Sequence, residues 1–253
     1  MRAAARIVAE ADGRGHTRLA VLHGEAPLLL RRTGGADVTV HLVGGAAGPL
    51  GGDELRLDVE VGPGARLRVR SVAASLALPG RIGGASEMSV RVSVAGGAVL
   101  DWHPEPLIAA AGCDHHVRTE VDVASGGTLR WRDDLVCGRH GETAGDVRID
   151  TAIRYAGRTL YRHQLAVGPT ATGWSGAAVL GGGRAVGSLV VVDPGWDVDG
   201  PPGPRVLGPD AALMPLAGPA VLATAVGADI RPVRAHLDPL AAGVSAAPLP
   251  ALA

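Results

Sequence analysis

Residues 113–116 read Cys-Asp-His-His, and Cys137 and His140 follow about one strand pair later. Thiolate and imidazole are ligands that suit zinc or nickel. Cys113, Asp114, His115 and His116 are therefore candidate metal ligands. Two features weigh against them. Neighbouring residues on an extended strand point to opposite faces, so His115 and His116 do not share an ion if that stretch is extended. No Cys-x-x-Cys or His-x-x-x-His spacing accompanies them. The bland reading is a polar loop with a buried cysteine.

Other chemistries fare worse. Gly-Trp-Ser-Gly at 173–176 falls short of a nucleophile elbow and no strand-turn-helix context follows it. Asp133, Asp134, Glu142 and Asp146 could supply an acid pair, but a wetted strand edge accounts for them more simply. Gly-Gly-Gly-Arg at 181–184 lacks the Lys-Ser/Thr of a phosphate loop and the helix that should follow. A formal net charge of -1 and 2% aromatic residues leave neither a polyanion-attracting field nor many stacking platforms. Nucleic acid is not expected as a partner. No apolar run of about 18 residues is present, so no membrane span is expected, and a cytoplasmic protein is the default. No enzyme motif is secured, which leaves a binding or assembly protein.

The elements that must position these residues read as strands. Leu55, Leu57, Val59 and Val61 alternate with Arg56, Asp58 and Glu60. Residues 88–94, 117–123 and 147–153 alternate in the same way, as strands do with one buried and one wetted face. Four turns, 62–67, 95–100, 125–130 and 155–160, resemble one another, with Gly64, Gly97, Gly127 and Gly157 roughly 30 residues apart. The expected fold is all-β, with stacked or sandwiched sheets built from repeated hairpins and a few short C-terminal helices. The linkers 71–87, 103–116, 136–146 and the stretch after 168 should then gather at the end opposite the glycine turns. They carry His103, Glu105, Cys113, Asp114, His115, His116, Cys137, His140 and Glu142. The chain reads as one domain, 1–253, with a helical or irregular part over 193–253. Short helices are expected at 210–227 and 231–243, with Pro232 in a first turn, and a low-complexity tail after them. The absence of Phe and Lys, with Arg as every basic residue, reads as a GC-rich coding bias and cautions against treating each Arg as selected for anions.

Three blocks carry a resemblance. Residues 44–75, GGAAGPLGGDELRLDVEVGPGARLRVRSVAAS, combine a glycine-rich turn, a Gly-Asp, an alternating strand, GPGA and a second strand. LDWHPEPLI at 100–108 and LVCGRHGETAGDVRIDTAIRYAGRTLYRHQLAV at 135–167 follow in order. Together they resemble the urease accessory protein UreD (UreH) family, most strongly over 38–168. The resemblance implies a non-enzymatic chaperone with an all-β body. It implies that the chain binds UreF, engages the GTPase UreG through UreF, and docks on the urease apoprotein subunits, with a homodimer as a further option. Nickel would pass transiently to the urease active site, by a tunnel through the UreD body, with no permanently bound cofactor. The family pattern carries over onto Gly52, Asp53, Trp102, Pro104, Glu105, Ile108, Gly138, Arg139, Gly141 and Glu142. Asp53, Glu105 and Glu142 are the expected polar residues near a nickel path. The competing reading makes Asp53 a turn residue and Glu142 half of an ion pair with Arg139. His103 stands where the family commonly has an aliphatic residue, and residues 76–80 and 109–116 also depart from its pattern. The alternative function is a β-sandwich metal-binding enzyme or ligand-binding module that uses the Cys113–His116 loop.

Overall fold

A computed structural model describes residues 1–34, 38–81 and 83–243. In chain order the strands are β1 (Arg2–Ala11), β2 (Thr17–Gly24), β3 (Leu28–Thr33), β4 (Val38–Gly44), β5 (Glu54–Val61), β6 (Arg66–Ser71), β7 (Ser75–Ala77), β8 (Ser86–Val94) and β9 (Val99–Trp102). They continue with β10 (Leu107–Ala109), β11 (Asp114–Val123), β12 (Thr128–Val136), β13 (Asp146–Tyr155), β14 (Arg158–Val167) and β15 (Ala185–Val192). Then come α1 (Trp196–Asp199), β16 (Arg205–Gly208), β17 (Ala211–Pro215), β18 (Ala220–Gly227) and α2 (Ile230–Gly243). Two sheets stack, a seven-stranded one in the order β14-β13-β11-β8-β5-β1-β2 and an eleven-stranded one. The path of the second runs β16-β17-β18-β15-β12-β9-β6-β4-β3, with β10 and β7 beside it. The mostly-β fold with stacked sheets is as expected.

The repeat unit is not a hairpin. β5, β8, β11 and β13 pair in parallel within the first sheet, and β4, β6, β9 and β12 pair in parallel within the second. Each glycine turn at 62–65, 95–98 and 124–127 is therefore a corner that carries the chain from one sheet across to the other. Successive repeats stack as coils, each strand pairing with its equivalent one repeat later. Period-2 alternation and a Gly turn do not distinguish a chain that folds back from one that crosses over, which is why hairpins were expected. Only the last turn closes an antiparallel hairpin, β13 to β14, through Ala156 and Gly157, both at positive φ. Val61, Val94 and Val123 lie in register, and the residue three positions after each has positive φ: Gly64, Gly97 and Gly126, not Gly127. Gly97 N donates to Gly126 O at 3.0 Å, so adjacent corners bond to each other.

The core fills the space between the sheets. Ile7, Leu57, Leu67, Leu100, Leu129, Trp131 and Ile153 are among its buried side chains. Removing this apolar surface from water is the main driving force for the fold. The C-terminal segment differs from expectation. Residues 211–227 form strands β17 and β18 rather than a helix, and they extend the second sheet through β15. The helix expected over 231–243 is α2, with Pro232 in its first turn. It lies on β18, β15 and β12, where Val233 and Leu237 are fully buried. The tail after 243 lies outside the described residues.

The linkers do gather at the end opposite the corners. Asp146 N donates to Cys113 O at 2.8 Å, and Glu87 N to Asp53 O at 2.7 Å. Coil-to-coil contact there depends on Gly145, whose added Cβ would lie 2.2 Å from Ala110 O and 2.6 Å from Cys113 Sγ. Gly145→Ala is expected to cost about 3 kcal/mol through overpacking. Gly157→Ala meets no atom within 4 Å and carries only the penalty of its φ of +77°, about 1 kcal/mol. Urea unfolding midpoints compare the two, and equal losses would contradict this account.

Candidate functional site

Alternation places the polar residues of β12. Leu129, Trp131, Asp133 and Leu135 face the other sheet, and Arg130, Arg132 and Asp134 face away from it. Asp133 and Asp134 are therefore not on a wetted strand edge, contrary to expectation. Asp133 borders a cavity of about 480 Å³ between the sheets, which Leu55, Met88, Val90, Val117, Thr119 and Ile149 also line. Trp102 and Trp131, in register on adjacent strands, stack along this cavity at 4.6 Å. Trp131 Nε1 donates to Asp133 Oδ2 at 2.8 Å. Burial pushes the Asp133 carboxyl up to about 6, against the pull of the Trp131 hydrogen bond. Burial also pushes the Tyr161 phenol up to about 12, and Asp133 adds to it. The cavity reaches the loops at 44–49 and 71–76 and the Pro104–Glu105 segment.

Outside the second sheet, α2 closes over a buried ion pair. Arg132 Nε donates to Asp134 Oδ1 at 2.6 Å, and both side chains are fully shielded. Arg132 Nη1 reaches Asp238 at 3.4 Å, and Arg234 Nη2 reaches Glu105 at 2.7 Å. Burial and the positive charges of Arg132 and Arg70 push the His103 pKa down.

The expected site residues are dispersed among these features. Asp53 is a turn residue. It is 3% exposed, accepts from Leu50 N at 2.9 Å, and pairs with the Met1 ammonium. Glu105 lies at the cavity rim, where it holds Arg234. Glu142 accepts from Arg139 Nε at 2.8 Å, and that guanidinium holds its carboxyl down to about 2.

The Cys113–His116 stretch does not converge on an ion. Strand β11 turns His115 inward, where Ser86 Oγ lies 2.8 Å from Nδ1 and burial pushes the imidazole down to about 4. His116 points the other way and lies 3.4 Å from the exposed Asp114. Burial pushes the thiols of Cys113 and Cys137 up to about 11, far from the thiolate a metal needs. Among the described residues no three His, Cys, Asp or Glu side chains come together as a metal-holding group. Sequence reasoning named Asp133 but put it on a wetted edge, and it missed the buried His115–Ser86 contact and the Arg132–Asp134 pair. The signal for Asp133 was present, since period 2 from Leu129 and Trp131 puts it inward.

Comparison with known proteins covers more than the expected 38–168. The sequence model of the UreD urease accessory protein family matches residues 1–251. A urease accessory protein UreD of Streptomyces coelicolor is 48% identical over 241 residues, covering 94% of each chain. The protein of that name from Streptomyces avermitilis is 47% identical over 241 residues, covering 94% of this chain and 95% of its own. That of a Parafrankia strain is 42% identical over 277 aligned positions, covering 99% and 92%. The match extends through β15–β18 and α2, the part whose pattern was least readable as strand. With similarity of this extent along its whole length, the chain belongs to the UreD family of urease accessory proteins.

Proposed function

We propose that this chain is a cytoplasmic maturation chaperone of urease with no chemistry of its own. On this reading it binds the urease apoprotein and an assembly of UreF with UreG, and it helps deliver nickel to the urease active site. The observation that carries the reading is the family match over 1–251. The cavity between the sheets supports it, since an ion in transit needs an interior that protein walls off from competing ligands. Carboxylate oxygens are weak, exchangeable nickel ligands, which suits transfer better than storage.

Of the three carboxylates singled out in the sequence, Glu105 is the one at the cavity rim, and its partner Arg234 sits on α2. Displacing α2 would free Glu105 for a hydrated divalent cation. Asp53 and Glu142 are already engaged by the Met1 ammonium and Arg139, which supports a scaffold role for both. The test is co-expression with UreF, UreG and the urease subunits, followed by size exclusion and a urease assay. The expected result is co-elution, with activity falling to background when this chain is omitted. Elution alone, together with full urease activity in its absence, would overturn the proposal.

A further inference from the structure

The inner face of the seven-stranded sheet is not sealed evenly. Met88, Val117 and Ile149 lie in register on β8, β11 and β13 and line the space between the sheets, yet each is only half-buried. The inward rows on either side are closed. Ser86, His115 and Val147 are buried on one side, and Val90, Thr119 and Thr151 on the other. The opening is thus confined to one row, at the cavity of about 480 Å³ described above. Small-molecule sites have volumes of about 300–1,000 Å³ and mostly apolar walls with a few polar groups. Val72, 60% exposed, stands at the mouth.

Asp133 is half-buried on the inward face of β12 and borders the same cavity. It accepts hydrogen bonds from neutral donors, Trp131 Nε1 and the Thr151 hydroxyl. The charge of Arg132 reaches it only from the outward face of β12, where Asp134 holds that guanidinium. Among the described residues Asp133 forms no ion pair. A carboxylate in apolar surroundings without a cation beside it burdens the folded chain. An occupant that brings its own positive charge relieves that burden.

We propose that this cavity binds a small organic cation, a primary ammonium on an apolar or aromatic body, with Asp133 as its counter-ion. The ammonium donates charge-assisted hydrogen bonds to the carboxylate. The body covers Met88, Val117 and Ile149, which the empty cavity leaves wet. Trp102 and Trp131 line the same space, and aromatic faces attract organic cations. A divalent metal ion fits these walls less well, because it takes several oxygen or nitrogen ligands. Among the described residues no three His, Cys, Asp or Glu side chains gather to supply them. Such a ligand would bind this chain without nickel and without any urease partner.

The test is isothermal titration calorimetry of the purified chain at neutral pH with phenethylamine, phenethyl alcohol and hydrocinnamate. The three probes share an aromatic body and differ in charge. The amine is expected to bind about tenfold more tightly than the alcohol, from one hydrogen bond to a charged group. The carboxylate probe should bind more weakly than either. In Asp133→Asn the advantage of the amine over the alcohol should vanish. With the unmodified protein, the affinity for the amine should fall as pH drops through about 6, where the Asp133 carboxyl takes up its proton, while that for the alcohol stays level. That pH series needs no variant, so it decides the question if Asp133→Asn is poorly folded. Equal binding of amine and alcohol, or no binding of either, would overturn the proposal. So would an advantage of the amine that survives in folded Asp133→Asn, or that does not change with pH.

Discussion

Arg132→Met is expected to cost about 3–5 kcal/mol of folding stability, because removing one partner of a buried ion pair strands the other charge. Arg132 and Asp134 are both shielded completely, 2.6 Å apart under α2. Among the described residues, the Asp134 carboxylate without Arg132 keeps one ion-pair partner, Arg234 Nε, 3.9 Å away. Burial already pushes the Asp134 pKa up, with the Arg132 hydrogen bond opposing it. The variant should therefore recover part of its loss at low pH, where Asp134 takes up a proton. The pair itself is worth far less than its parts, since apolar replacement of a whole buried pair is often neutral. Arg132→Met/Asp134→Leu should thus regain most of the stability. Urea unfolding of the single and double variants gives the coupling energy. Additive losses would show that the two charges do not depend on each other.

Asp133→Asn is expected to stabilise the protein at neutral pH, the unusual direction for a substitution on the inward face of a sheet. The carboxyl titrates at about 6 in the folded chain and near 3.9 when unfolded. Its folded pKa is raised, so the native state binds the proton more tightly. That contribution is fully present below about pH 4 and is lost as pH rises through about 6. A pKa difference of about two corresponds to about 3 kcal/mol. The unmodified protein should lose stability between about pH 4 and pH 6, and Asp133→Asn should not. The two stability curves should meet near pH 4 and separate above pH 6. Asparagine keeps a carbonyl oxygen to accept from Trp131 Nε1, so the hydrogen bond is not the variable. Parallel curves across that range would show that Asp133 is solvated in the folded state.

Much of the fold was legible because most first-sheet strands bury one face only. In β5, Leu55, Leu57, Val59 and Val61 are buried while Glu54, Arg56, Asp58 and Glu60 are not, and that is the pattern the sequence displays. β15 hides its pattern because α2 covers its outer side and Val190, Val191 and Val192 are all buried. β17 and β18 are alanine-rich, and alanine suits helix and buried strand alike, so their strand character was not readable. The crossing of the corners was hidden for a different reason. Whether Gly64 sends the chain back or across depends on β5 meeting β8 rather than β6, a contact between residues some 30 positions apart. At the site, the opposed directions of His115 and His116 followed from strand geometry alone. The Arg132–Asp134 pair did not, because its burial depends on where α2 comes to rest.

The stacked coils also determine how far an event at one end of this molecule travels. Each coil touches mainly the one before it and the one after, so stability is shared down a line rather than through a single centre. A partner that grips the β2 and β3 end tightens the nearest coils most, and the effect fades before it reaches the β14 hairpin. The two ends of such a column behave as separate handles on one rod. Two different proteins can hold it at once without competing for a common conformational change.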